Sequence, residues 1–184
     1  MAGVNHMNKK LSTTIVSLVS ALILVLFDQW TKWLAVAKLK GNTPFVLIPG
    51  VFELNYTENR GAAFGLMQNQ RVLFLIITLV VLAGVVYLFF RVPFKRFYWP
   101  HRTILVVFTA GTIGNFIDRM LLGYVVDFFY IRLIDFPVFN VADLFITGSL
   151  AVFVLLILFK YKESDLTFIP GMSDSAAKAE DSES

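Results

Sequence analysis

Cysteine is absent from the 184 residues. That excludes a disulfide frame, a thiolate metal site, a Cys nucleophile and a lipidated Cys in the chain itself. Histidine is almost as scarce, with His6 and His101 the two present, and no serine stands between Ser20 and Ser149. Charge is sparse as well. Charged residues make up 16% of the chain, against about a quarter in an average soluble domain. Hydrophobic residues make up 57% and are gathered into long uncharged runs. A soluble fold of this size could not hide such runs, and a disordered chain would not contain them. The net charge is +3. The basic residues fall into separate clusters that read as membrane-topology signals and not as a nucleic-acid surface.

What is present is four apolar segments. Leu11–Phe27 carries no charge and ends at Asp28, and Val72–Phe90 is likewise uncharged. Thr103–Ile117 continues apolar to Val126 with only Asp118 and Arg119 interrupting, and Leu144–Phe159 is the fourth. A helix across about 30 Å of hydrocarbon needs ~20 mostly apolar residues. Lipid offers backbone groups no partner, so each span must be helical. The first run exceeds the ~7–15 apolar residues of a secretory signal core and lacks a small-x-small cleavage site, so it reads as a retained helix. The expected fold is an all-α membrane protein, a four-transmembrane-helix bundle over residues 1–163, with spans near 11–29, 71–90, 103–122 and 141–160.

Lys9 and Lys10, then Arg91, Lys95, Arg96 and Arg102, then Lys160 and Lys162 would lie on one side of four spans. The positive-inside rule makes that side, and both termini, cytoplasmic. Outer loops are expected at 34–70 and 123–138. In the first, Val46–Ile48 and Val51–Tyr56 flank the turn signal Pro49-Gly50, and Phe52, Leu54 and Tyr56 alternate with Val51, Glu53 and Asn55. This predicts a small β-sheet on the outer (periplasmic) side. Residues 164–184, rich in Ser, Ala and acids, read as a disordered cytoplasmic tail.

Polar residues inside the spans are the informative ones, because ionisable groups there usually face a bundle interior or a wet cavity. Gly111, Asn115 and Asp118 share a helix face, as do Asn140, Asp143 and Thr147. Asp28 and Lys32 form an i,i+4 pair, and Arg119 stands beside Asp118. The expected topology brings Asp127 and Asp143 to the same membrane face. Structural readings exist for each. Asn140 and Asp143 fit a helix cap, Asp127 a loop acid, Asp28 and Lys32 a flanking ion pair, and Asp118 and Arg119 a neutralising pair. If the chain is an enzyme, elimination favours the carboxylates. Both histidines fall on the cytoplasmic side, which removes a His-based zinc site or Ser-His pair from the outer face, and the serine gap removes a Ser-Lys dyad. Two close carboxylates sharing one proton provide a general base and a general acid together. Intramembrane acids also mark proton relays, so a small proton-coupled transporter is the alternative, and a non-catalytic assembly factor a third reading.

Asp28-Gln-Trp-Thr-Lys32, Asn59-Arg-Gly-Ala-Ala-Phe64, Gly114-Asn-Phe-Ile-Asp-Arg119, Val125-Val-Asp-Phe-Phe129 and Phe139-Asn-Val-Ala-Asp143 occur in that order. The set resembles the lipoprotein signal peptidase (signal peptidase II) family of bacterial membrane aspartyl peptidases. The resemblance implies a diacylglyceryl-modified prolipoprotein as substrate, cut on the amino side of its lipid-modified cysteine at the outer face of the cytoplasmic (inner) membrane. It implies Asp127 and Asp143 as the catalytic pair, with Asn59, Asn115, Asp118, Arg119 and Asn140 around pair and substrate, and Asp28 and Lys32 in support. Gly61 is expected to give flexibility and an amide donor near the pocket. Beside the resemblance, the outer-loop strand could cradle a peptide by strand addition. Arg119 is expected to hold the site by binding a carbonyl or Asp118. No metal, cofactor or nucleic acid is expected. Membrane lipids and substrate are the expected partners of a monomer.

Overall fold

The computed structural model describes residues 2–61, 70–166, 168 and 169. Its elements in order are α1 (Ala2–Leu39), β1 (Phe45–Ile48), β2 (Phe52–Asn59), α2 (Arg71–Arg91), α3 (Trp99–Leu121), β3 (Val125–Ile131) and α4 (Val141–Phe159). Among the described residues, four helices are long and apolar enough to cross a membrane. The protein is a multi-pass membrane protein with a small sheet at one end of its bundle.

α3 is the central helix and packs on α1, α2 and α4. Its small residues allow the close approach. A Cβ at Gly111 would strike the Ala142 carbonyl oxygen, and one at Gly114 would strike the Asp28 carboxylate, the logic of small residues at helix interfaces in lipid. α2 touches this core least and buries none of its residues, as expected of a helix apolar all round in a lipid solvent. Large side chains such as Leu22, Val80 and Leu158 face outward on the spans.

α1 extends past its expected end near residue 29 to Leu39. Its last turns cover the sheet: Ala35 and Leu39 pack with Val126, Phe128 and Val141 in one buried cluster. The sheet is antiparallel in the order β1-β2-β3. The β1–β2 hairpin turns at Pro49-Gly50, where Gly50 takes φ +71°, a left-handed conformation glycine adopts freely. β3 arises within the segment expected to be a loop, 123–138. The run Val125-Val-Asp-Phe-Phe-Tyr-Ile131 is rich in β-branched and aromatic residues, a strand signal. It pairs with β2 so that Thr57 opposes Asp127 and Asn59 opposes Val125, with a register shift between Leu54 and Thr57.

Two expectations in the first loop change. Glu53, assigned by alternation to the polar face, is 3% exposed and paired with Arg132 at 2.6 Å. β2 is flanked on both edges by β1 and β3, so strand addition to it is closed, while β1 is exposed along its length. At the opposite end of the bundle, Val92, Tyr161, Leu166 and Phe168 form a second buried cluster. Leu166, Phe168 and Ile169, within the segment read as tail, are therefore packed, and Thr167 and residues 170–184 lie outside the described residues.

Candidate active site

Lys32 lies one helical turn after Asp28 on α1, and both face α3. The Lys32 ammonium Nζ stands 3.0 Å from Asp28 Oδ2, 3.0 Å from Asp118 Oδ2 and 2.9 Å from Asn115 Oδ1. An ammonium has three donors, and here each finds an acceptor. All four residues are buried. Gln29 Nε2 adds donors to Asp118 Oδ1 at 3.0 Å and Asp28 Oδ2 at 3.2 Å. The Asp28–Lys32 pair expected from spacing is thus present, as a buried network and not as a surface ion pair.

Each acid of this network also holds another element. Asp28 Oδ1 accepts from the Ala142 backbone N–H at 2.9 Å, gripping the first turn of α4. Asp118 Oδ2 accepts from the Val126 N–H at 3.1 Å, gripping β3. These two elements carry Asp143 and Asp127.

α4 begins with a reciprocal cap. Asn140 Oδ1 accepts from the Asp143 N–H at 3.0 Å, and Asp143 Oδ2 accepts from the Asn140 N–H at 3.1 Å, which satisfies two of the orphan donors at a helix start. Asn140 also donates through Nδ2 to Asp127 Oδ1 at 2.6 Å. The capping and site readings of Asn140 and Asp143 therefore hold together. Asn115 Nδ2 donates to Asp143 Oδ1 at 2.8 Å, so Asn115 links Lys32 to Asp143. Asn59, the last residue of β2, donates through Nδ2 to Asp127 Oδ2 at 2.9 Å and accepts at Oδ1 from the Gly61 N–H at 3.0 Å.

Asp127 is 1% exposed. Its carboxyl is pushed up to about 7, chiefly by burial and then by the charge of Asp143, against the pull of the Asn59 and Asn140 amides. A carboxyl that keeps its proton near neutral pH beside a second carboxylate can offer a proton and a lone pair at one place.

One expected pair does not form. Asp118 is bound to Lys32, and Arg119 turns away from it: Nη1 reaches the Asn115 carbonyl at 3.5 Å and Nη2 the Gly61 carbonyl at 3.4 Å, with the guanidinium 4.9 Å from the Phe74 ring centre. Consecutive helical residues point about 100° apart, so adjacency in sequence is no guide to pairing. The other expected residues converge: Asn59, Gly61, Asn115, Asp127, Asn140 and Asp143 at the centre, with Asp28, Lys32 and Asp118 behind them. Ala62, Ala63 and Phe64 lie outside the described residues. Gln29 and Gly114 were not singled out. Glycine within an apolar helical run is the signal that could have found Gly114. Gln29 stands within the motif Asp28-Gln-Trp-Thr-Lys32, which gives it no role of its own.

Known proteins share this chain's sequence along most of its length. The family model described as "Signal peptidase (SPase) II" matches residues 20–159, a stretch that contains every residue of the network. This chain belongs to the signal peptidase II family. A "Lipoprotein signal peptidase" from Streptococcus thermophilus (strain CNRZ 1066) is 43% identical over 148 residues, covering 80% of this chain and 93% of that protein. One from Brevibacillus brevis is 41% identical over 136 residues, covering 73% and 89%. Among solved structures, "Bacterial membrane enzyme structure by the in meso method at 2.3 A resolution" aligns with a TM-score of 0.70 at 34% identity, covering 78% of this chain and 87% of that one. As a signal peptidase II the chain is a peptidase, and the transporter and assembly-factor readings fall away.

Proposed function

We propose that this peptidase removes the signal peptide from diacylglyceryl-modified prolipoproteins, cutting on the amino side of the lipid-modified cysteine, by an aspartyl mechanism at Asp127 and Asp143. The observation that carries the reading is the convergence of these two carboxylates on Asn140, from a strand and a helix that Asp118 and Asp28 hold in place. In the proposed reaction Asp143 takes a proton from water as its oxygen attacks the scissile carbonyl. Asp127 gives its proton to the carbonyl oxygen, and the tetrahedral intermediate has two hydroxyls. Asp143 then passes its proton to the leaving amine, the C–N bond breaks, and one hydroxyl proton returns to Asp127 as the carboxyl product forms. Arg119 and Gly61 stand at the edge of the pair, where the substrate backbone would lie.

The proposed orientation puts both termini in the cytoplasm and the carboxylates at the outer face of the inner membrane, where acyl chains can stay in lipid while the peptide enters the polar pocket. No metal takes part in this reading. Amide N–H groups of Asn59 and Asn140 donate to Asp127 and that of Asn115 to Asp143, and these donors occupy lone pairs that a cation would need. The test is purified protein with a diacylglyceryl-modified prolipoprotein peptide, with and without EDTA, products read by mass spectrometry. Cleavage before the modified cysteine, unchanged by chelation, is the expected result. Loss on chelation with rescue by one metal would overturn the metal-free mechanism.

A further inference from the structure

We propose that the end of the bundle opposite the carboxylates binds an anionic phospholipid, its phosphate held by Lys9, Arg96 and Arg102 and an acyl chain laid between α1 and α3. Arg102 opens the argument. It is 4% exposed, and among the described residues it has no acidic partner and no partner for Nε or Nη1. Nη2 donates to the Val92 carbonyl. The guanidinium lies 3.4 Å from the Phe94 ring centre and 5.0 Å from that of Phe89. These rings fix its position but supply no hydrogen-bond acceptor in the guanidinium plane. A buried, unpaired cation is unfavourable, and a guanidinium fork matches a phosphate.

Two cavities meet at this side chain. The smaller, of about 110 Å³, is lined by Lys9, Thr13, Phe94, Arg96, Trp99 and Arg102, three cations and no acid. The larger, of about 410 Å³, shares Thr13, Trp99 and Arg102 and runs along α1 and α3 past Val16, Ser20 and Val106. Lys10 adds a cation nearby, 5.4 Å from the Phe94 ring centre. A basic pocket that opens into a groove between two spans suits a lipid with an anionic head. A soluble anion would fill only the basic part, and a zwitterionic head would bring its own cation against three others. Along α3 the rise from Arg102 to Asp118 is roughly 24 Å, so this site is separate from the carboxylates. Its existence does not depend on the proposed peptidase mechanism. Only its assignment to the cytoplasmic leaflet rests on the proposed orientation.

Trp99 lines both cavities and reports on them. The experiment uses the full chain carrying Trp30→Phe and Trp33→Phe, in phosphatidylcholine nanodiscs with a minor fraction of lipid bearing brominated chains. Brominated phosphatidylglycerol should quench Trp99 as if enriched about fivefold or more over brominated phosphatidylcholine, the effect of one basic residue near anionic lipid. Lys9→Gln with Arg96→Gln, both at exposed positions, should remove most of that enrichment, and Arg102→Gln should do the same. Equal quenching by the two lipids would overturn the proposal. So would enrichment that persists in Lys9→Gln/Arg96→Gln, or in a folded Arg102→Gln, since that would be diffuse surface attraction. Displacement by soluble glycerol phosphate, or enrichment seen only after removal of residues 170–184, would show the occupant to be a free anion or the acidic tail.

Discussion

Lys32 and Arg119 are both cations beside the candidate site, yet the structure gives them different work. Removing Lys32 leaves Asp28 and Asp118 buried without their shared countercharge, and breaking a buried pair in this way costs about 3–5 kcal/mol. Lys32→Met should therefore lose most of its folding stability in detergent. Arg119→Ala removes two long bonds of 3.4 and 3.5 Å and leaves Asp118 its partners, so its loss should be about 1–3 kcal/mol, smaller than that of Lys32→Met. Thermal unfolding of the two variants decides the matter, and the reverse order would refute the network. For the proposed pair, Asp127→Asn and Asp143→Asn should each abolish cleavage while lipidated-peptide binding persists. The double variant should lose no more than either single, because residues of one catalytic unit are non-additive. Near-native turnover in either single variant would remove that aspartate from the mechanism. A pH dependence follows from Asp127, whose carboxyl moves from an ordinary 3.8 to about 7. kcat/KM should decline as pH rises past about 7 and the proton is lost, with the profile read as a property of the pair. Between 3.8 and about 7 the native state holds a proton that the unfolded chain releases. This contribution to stability is present at low pH, fades as pH rises through that window, and levels off above it. Asp127→Asn should flatten this part of the stability curve.

The helices meet where glycine lets them. A Cβ at Gly114 would overlap the Asp28 carboxylate and press on Ala142, whereas one at Gly148 would meet open space. Gly114→Ala should therefore displace Asp28 from the start of α4 and cost about 1–3 kcal/mol, the range for forced overpacking. Activity should fall although both candidate acids are intact. Gly148→Ala is the control and should be neutral or slightly stabilising. Equal melting temperatures and turnover in the two variants would show that Asp28 does not position α4. This coupling marks the limit of what the sequence revealed. The four spans were legible because uncharged length is a one-dimensional property. Asp127 and Asp143 were legible as neighbours because topology alone returns both to one end of the bundle. The partner of Asp118 was not, since Lys32 lies in another helix and only packing brings it near, while Arg119 is adjacent in sequence and turned away. β3 escaped because a short apolar run between two spans reads as loop until β2 supplies a pairing edge. Glu53 escaped for a related reason: alternation assigns a face, but only the placement of Arg132 makes burial of an acid tolerable.

Seen whole, the molecule has chemically different ends. One end gathers the acids, amides and Lys32 beneath a three-stranded sheet. The other carries the cations Lys9, Lys10, Arg91, Lys95, Arg96, Arg102, Lys160 and Lys162 and a packed cluster that includes Tyr98, Tyr161 and Phe168. Lys and Arg in short loops set orientation during insertion, while acids contribute little, so the second end should face the cytoplasm. The sheet end has cations of its own. Lys40 and Arg60 are bound to Glu58 at 3.0 and 3.1 Å, Arg132 to Glu53, and Lys32 is buried. Folded pairing does not by itself decide insertion, however, and the prediction rests on the denser cluster at the other end. Single cysteines make the test direct, because the natural chain has none. Phe97→Cys occupies an exposed position in the basic loop, and Leu133→Cys an exposed position beside the sheet. In intact cells an impermeant maleimide should label residue 133 and spare residue 97, and permeabilised cells should label both. Labelling of residue 97 from outside would invert the molecule, place the candidate carboxylates on the cytoplasmic side, and remove them from a substrate processed at the outer face.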